Sequence, residues 1–230
     1  MSLPTIVLAT PHDRNNALEK YVQERLRHFN VVRLRDRKDL SSDVLEQIKP
    51  NFVFFPHWSW LIPEDVHSRF DCVIFHMTDV PYGRGGSPLQ NLIVRGHQET
   101  MLSALKCVKD FDAGPVYLKR SLSLAGTAEE ILHRASTLME LMIVEIVEKR
   151  PIPILQQGDV VEFKRRQPKD GDLAPLRELR QVYDYVRMLD ADGYPPAFLK
   201  TEYLCLEFSD AHLGEEVVEA KVRIRKIPHD

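Results

Sequence analysis

The sequence predicts an α/β fold, a mostly parallel sheet with helices on both faces, followed by a small C-terminal α+β subdomain. Three observations lead there. The short apolar runs Thr5-Ile6-Val7-Leu8-Ala9, Asn51-Phe52-Val53-Phe54-Phe55 and Cys72-Val73-Ile74-Phe75 suit strands covered on both faces. Stretches of helical spacing separate them. After Pro151 and Pro153 the pattern turns to the alternation of antiparallel strands.

In chain order, Leu18, Tyr21, Val22, Arg25 and Leu26 recur at helical spacing between Asn16 and His28, after the first strand. Val31 to Leu34 is the second strand. A helix from about Ser42 should stop at Lys49, because the residue before Pro50 is disfavoured in the α conformation. The fourth strand delivers His76 at its C-terminal end, the edge where open α/β sheets bind ligands. Met77 to Pro88 reads as a loop, and a helix from about Leu89 with strands near 101–109 and 116–121 completes a Rossmann-like unit. Thr127-Ala128-Glu129-Glu130 is a capping-box pattern, opening a long helix that Pro151 ends after Arg150. The prolines place the boundary between a larger domain over 1–150 and a small subdomain over 151–230. In the latter, Asp159 to Phe163 suggests a strand, and Leu176, Leu179, Val182, Val186 and Leu189 suggest a helix. Alternation near Glu202–Phe208 and Val217–Ile227 suggests an antiparallel pair.

The formal net charge is -3, so no whole-molecule positive field exists to collect nucleic acid or anionic membrane, and neither is expected as a partner. Three cysteines, Cys72, Cys107 and Cys205, are odd in number and lack C-x-x-C spacing, as reduced cytosolic thiols do. Met1-Ser2-Leu3-Pro4 runs into a strand without a basic and apolar leader, and no apolar run approaches about 18 residues. A cytoplasmic location is expected, with no structural zinc.

The chemistry concentrates in HMTDVPYGRGGSPLQNLI, from His76 to Ile93, and in Asp110-Phe111-Asp112-Ala113-Gly114 further on. A strand-end histidine followed by a Pro- and Gly-rich loop sets a titratable base beside a backbone that a ligand can approach closely. A plain structural loop fits the same residues. The glycines match neither G-x-x-x-x-G-K-[ST] nor G-x-G-x-x-G, which removes the main support for ATP or dinucleotide binding. The aromatic run from Phe54 to Trp60 suits a buried strand end or one wall of a cleft equally well.

Order and spacing resemble the signature of the folate-dependent formyltransferases, N-x-H-x-S-x-L-P-x-x-R-G-x-x-P followed by D-x-G. His76, Thr78 in the Ser place, Pro81, Arg84, Gly85 and Pro88 match, and Asp112-Ala113-Gly114 supplies the second element. The resemblance implies transfer of a formyl group from 10-formyltetrahydrofolate to an amine, without a metal. It implies His76 as proton acceptor and Asp112 as its carboxylate partner. The family's Asn two residues before the His is Ile74, so the donor to the formyl oxygen must come from elsewhere: Asn91, Gln90, Thr78, a loop N–H, or protonated His76, with Asn91 carried as the catalytic candidate. Tyr82, Gly83, Arg84, Gly85, Gly86 and Asp110 are the implied cofactor contacts, and Thr78, Asp79, Tyr194 and Phe198 the implied substrate contacts.

Further along, Arg165-Arg166-Gln167-Pro168-Lys169-Asp170-Gly171 and Gly193-Tyr194-Pro195-Pro196-Ala197-Phe198 resemble segments of the nucleotide-sugar N-formyltransferases. That implies a nucleotide-linked amino sugar as acceptor, for example a UDP- or dTDP-4-amino-4,6-dideoxyhexose, and a homodimer. A tRNA-acting formyltransferase and a catalytically silent folate- or nucleotide-sugar-binding protein are the alternatives.

Overall fold

The computed structural model describes residues 3–227; Met1 and Ser2, with which the expected leaderless start begins, lie outside the described residues. The chain forms two compact units. The first runs through Gly85 and adds Thr100–Leu122 and His133–Glu162; the second collects Gly86–Glu99, Ser123–Leu132 and the chain from Phe163 on.

The strands are β1 (Thr5–Ala9), β2 (Asn30–Leu34), β3 (Phe52–Phe55), β4 (Cys72–His76), β5 (Tyr82–Gly85), β6 (Glu99–Lys106), β7 (Val116–Ser123), β8 (Val161–Phe163), β9 (Ala197–Lys200), β10 (Leu204–Leu213) and β11 (Val218–Lys226). The helices are α1 (Asn16–Arg25), α2 (Ser42–Ile48), α3 (Glu64–His67), α4 (Pro88–Ile93), α5 (Ala128–Lys149) and α6 (Leu179–Arg187).

A six-stranded sheet in the order β2-β1-β3-β4-β6-β7 centres the first unit. β1 pairs in parallel with β2 and β3, β3 with β4, while β4 and β6 are antiparallel. The central strands are apolar because both faces are covered: every residue of β1 and β3 is buried. Val7, Ala9, Leu45, Val53, Phe55, Val66 and Cys72 share one core cluster, each large side chain contributing about 1.5–3 kcal/mol of burial. The Ser41 hydroxyl accepts from Val44 N at 3.3 Å to open α2, and Lys49 closes it in the left-handed region at φ 53°, as a residue barred from the α region by Pro50 can.

Two elements differ from expectation. The segment read as a loop between Met77 and Pro88 contains β5, whose pairing with β8 is anchored where Val161 N donates to Pro81 O at 3.2 Å. The division expected at Pro151 falls elsewhere. Those prolines end α5, but residues 151–162 stay with the first unit, where Val116 and Ile154 exchange backbone hydrogen bonds of 2.8 and 2.9 Å. A missing N–H stops a helix without detaching the next stretch of chain from the same unit.

In the second unit β11, β10 and β9 form an antiparallel sheet, and α6 packs against β10. The capping box at the start of α5 is formed: Glu130 Oε2 accepts from Thr127 N at 2.8 Å and Thr127 Oγ1 from Glu130 N at 3.3 Å. Arg187, only 2% exposed, donates to Asp184 at 2.7 Å and to the carbonyls of Leu124 and Gly126 at 2.6 and 2.9 Å. No helix among the described residues is long and apolar enough to cross a membrane.

Candidate active site

His76 ends β4 opposite Ser103 of β6 and is 6% exposed. Its Nε2 lies 2.7 Å from Gly83 O and its Nδ1 3.4 Å from Asp112 Oδ1. A carbonyl only accepts, so Nε2 carries a hydrogen, and the second nitrogen faces a carboxylate. A neutral ring has one hydrogen for these two acceptors, whereas an imidazolium has one for each. The ring is thus held between two oxygens, one on each edge.

Asp112 sits in the left-handed region at φ 51°, a conformation that costs an L residue about 1–2 kcal/mol and that aspartate tolerates better than most. Surrounding bonds hold it there. Its Oδ2 accepts from Gly85 N at 2.9 Å, leaving Oδ1 toward His76. Gly114 makes the turn possible: a Cβ at that position would stand 1.7 Å from Lys106 O. Gln156 closes the arrangement, its Nε2 donating to Asp112 O at 2.7 Å and Gly114 O at 2.8 Å. Burial, with the Asp112 charge second, pushes the nearby Cys107 thiol up to about 11, so it stays protonated at neutral pH. Burial raises Cys72 further.

Several loop residues serve the loop itself. Thr78 is fully buried, donates to Gly83 O at 3.3 Å and accepts from Ser103 Oγ on its carbonyl at 2.7 Å. Asp79, expected to meet an amine, pairs instead with Lys119 Nζ at 2.5 Å, and the same ammonium donates to Val80 O at 2.7 Å. Arg84, expected to grip cofactor, directs Nε and Nη2 at Gln156 Oε1 from 3.0 and 2.8 Å. The Val80–Pro81 peptide is cis, Gly83 and Gly85 take positive φ, and Tyr82 N donates to Asp79 O at 3.1 Å. Asp110 is exposed and accepts from Ala113 N through its carbonyl.

The remaining candidates belong to the second unit. A Cβ on Gly86 would lie 2.5 Å from Arg165 Cβ, so this glycine permits a close approach of two chain segments. Asn91, expected to donate to an oxyanion, directs its amide at the carbonyls of Gly86, Ser87 and Lys164 at 3.0, 3.1 and 2.9 Å, while its Oδ1 accepts from Arg95. Its hydrogens are committed to holding this turn, which departs from the donor role. Tyr194 is half-buried in a turn where its N donates to Ala191 O, and Phe198 lies on β9 with Lys200 Nζ 5.1 Å above its ring. His76, Thr78, Asp79, Tyr82 to Gly85, Asp110 and Asp112 are therefore gathered in one unit, and Gly86, Asn91, Tyr194 and Phe198 in the other.

Sequence reasoning missed Gln156 and Lys119, which tie the loop and the D-x-G turn, and a chain at the strand ends. There His57 Nε2 meets Ser136 Oγ at 2.9 Å, Ser136 donates to Asn15 at 3.1 Å, and Asn15 to Thr10 at 2.6 Å. These residues are far apart along the chain and carry no local motif. Ile74, where the resemblance expects an Asn, packs against the apolar core. Among the described residues, no group of three or more His, Cys, Asp or Glu is placed to hold a metal ion.

A methionyl-tRNA formyltransferase of known structure from Clostridium thermocellum is 42% identical to this chain, covering 97% of it and 100% of its own length, with a TM-score of 0.95. The chain belongs to the methionyl-tRNA formyltransferase family. The family model for the methionyl-tRNA formyltransferase C-terminal domain matches residues 168–225. A methionyl-tRNA formyltransferase from Thermotoga maritima is 28% identical over 172 residues, 68% of this chain and 53% of the relative. The chain spans between 53% and 58% of the length of the first curated relatives it matches. A 4-N formyltransferase from Francisella tularensis shares the fold at 15% identity and a TM-score of 0.68, covering 87% of this chain and 93% of its own.

These findings correct the acceptor and the partners expected from sequence. The nucleotide-sugar reading rested on the short segments Arg165 to Gly171 and Gly193 to Phe198, which the whole-chain identity outweighs. Excluding nucleic acid from a net charge of -3 used a whole-molecule quantity where a local cluster decides contact. Lys164, Arg165 and Lys169 are exposed and lie within six positions of one another in the second unit.

Proposed function

We propose that this chain transfers a formyl group from 10-formyltetrahydrofolate to the amino group of methionyl-tRNA. The observation that carries the reading is the 42% identity to a methionyl-tRNA formyltransferase over 97% of this chain and 100% of that one, and the paired His76 and Asp112 support it. The folate supplies an activated formyl carbon. The protein's own task is to take a proton from the attacking amine and to stabilise charge on the formyl oxygen. His76 is the proton acceptor, at a strand end and sheltered from water; Asp112 orients the ring and balances the charge it gains. The imidazole and the carboxylate suit the proton-transfer part of this chemistry.

The test is a transfer assay with methionyl-tRNA and 10-formyltetrahydrofolate, comparing the native protein with His76→Asn and Asp112→Asn. Loss of a general base costs about 10²- to 10⁴-fold, so each variant should lose at least about 100-fold with unchanged circular dichroism. Absence of formylmethionyl-tRNA with the native protein, or full turnover by His76→Asn, refutes the proposal.

A further inference from the structure

We infer that Gln156 is a positioning residue of the reacting centre, a brace that sets the Asp112 carboxylate against His76. The inference rests on the proposed formyl transfer. Gln156 lies in the stretch between the α5-ending prolines and β8, where no sequence pattern marks it. All its polar capacity is directed at the site. Its Nε2 donates to the carbonyls on either side of the turn, Asp112 O at 2.7 Å and Gly114 O at 2.8 Å. Its Oε1 receives both Nε and Nη2 of Arg84, at 3.0 and 2.8 Å.

A terminal carboxamide is the side-chain group that combines two donors with an acceptor at this reach. Glutamate would keep Arg84 but lose both donors; methionine would lose everything at similar volume. The braced turn holds Asp112 at φ 51°, from which Oδ2 reaches Gly85 N and Oδ1 faces His76 Nδ1. Arg84 lies one residue before Gly85, so the carboxamide joins the glycine loop to the acidic turn from behind both.

The experiment measures steady-state transfer for Gln156→Glu, Gln156→Met and Arg84→Met, together with ¹⁵N signals of the His76 ring, assigned through His76→Asn. Displacing a reacting group by about 1 Å costs about 100-fold, so both Gln156 variants should lower kcat about 10- to 100-fold while KM for the formyl donor changes less than about threefold. The His76 signals should move in both. Wild-type kcat with unmoved His76 signals in either folded variant overturns the inference. If neither folds, Arg84→Met decides it, since it removes the group that aims the carboxamide: unchanged kcat refutes, reduced kcat supports. A native protein inactive on methionyl-tRNA counts against the proposed function alone, because the ring signals still report the brace.

Discussion

Replacing Gly114 by alanine tests the geometry on which Asp112 depends. An added Cβ would meet Lys106 O at 1.7 Å, and the obstacle is main chain in β6, which has no rotamer to give. Restoring an ordinary contact requires a displacement of about 1.5 Å, at the severe end of the overpacking range, so a loss of about 3 kcal/mol is expected. Whatever part of that shift reaches Asp112 moves its carboxylate from His76, and kcat/KM should fall about 100-fold. Urea unfolding followed by fluorescence measures the first quantity and the transfer assay the second. Gly96→Ala is the control: its φ of 81° makes alanine strained, yet nothing lies within 4 Å of the added Cβ. It should cost about 1–2 kcal/mol and leave turnover intact. If Gly114→Ala destabilises no more than Gly96→Ala, the steric argument for the D-x-G turn fails.

Two further outcomes follow from buried groups. Among the described residues, Arg187→Met leaves Asp184 with only the half-exposed Arg180 as a cation, and it removes the donor to two carbonyls, so stability should fall by about 3 kcal/mol in urea; a loss under about 1 kcal/mol would contradict the buried-pair reading. Cys107, raised from 9.0 to about 11 by burial and by Asp112, remains protonated longer in the folded chain than in the unfolded one. Its contribution is complete below pH 9 and lost as pH rises from about 9 to 11, amounting to about 2–3 kcal/mol. Cys107→Ala should flatten that part of the stability profile, and an unchanged alkaline limb would remove the thiol as its source.

The strands were legible because burial on both faces leaves uninterrupted apolar runs, whereas the pairing of His76 with Asp112 was expected only through the family resemblance, since a strand-end imidazole and a D-x-G turn also fit a plain loop. β5 was not, since a glycine-rich strand lacks the β-branched side chains by which strands are recognised. The roles of Asn91, Lys119 and Gln156 were hidden for another reason. Each meets at least one group distant in the chain, Lys164 O for Asn91 and Asp79 for Lys119, and the 42 and 44 positions between Gln156 and its two acceptors carry no periodic signal. The acceptor was misread because two short segments, 165–171 and 193–198, do not distinguish acceptors within one fold, whereas identity along the whole chain does.

The contact between His76 Nε2 and the Gly83 carbonyl bears on the order of events. A nitrogen already giving its hydrogen to the main chain has no lone pair to offer an incoming amine. Under the proposed function the ring hydrogen must therefore lie on Nδ1, toward Asp112, before Nε2 can take the proton of the amine.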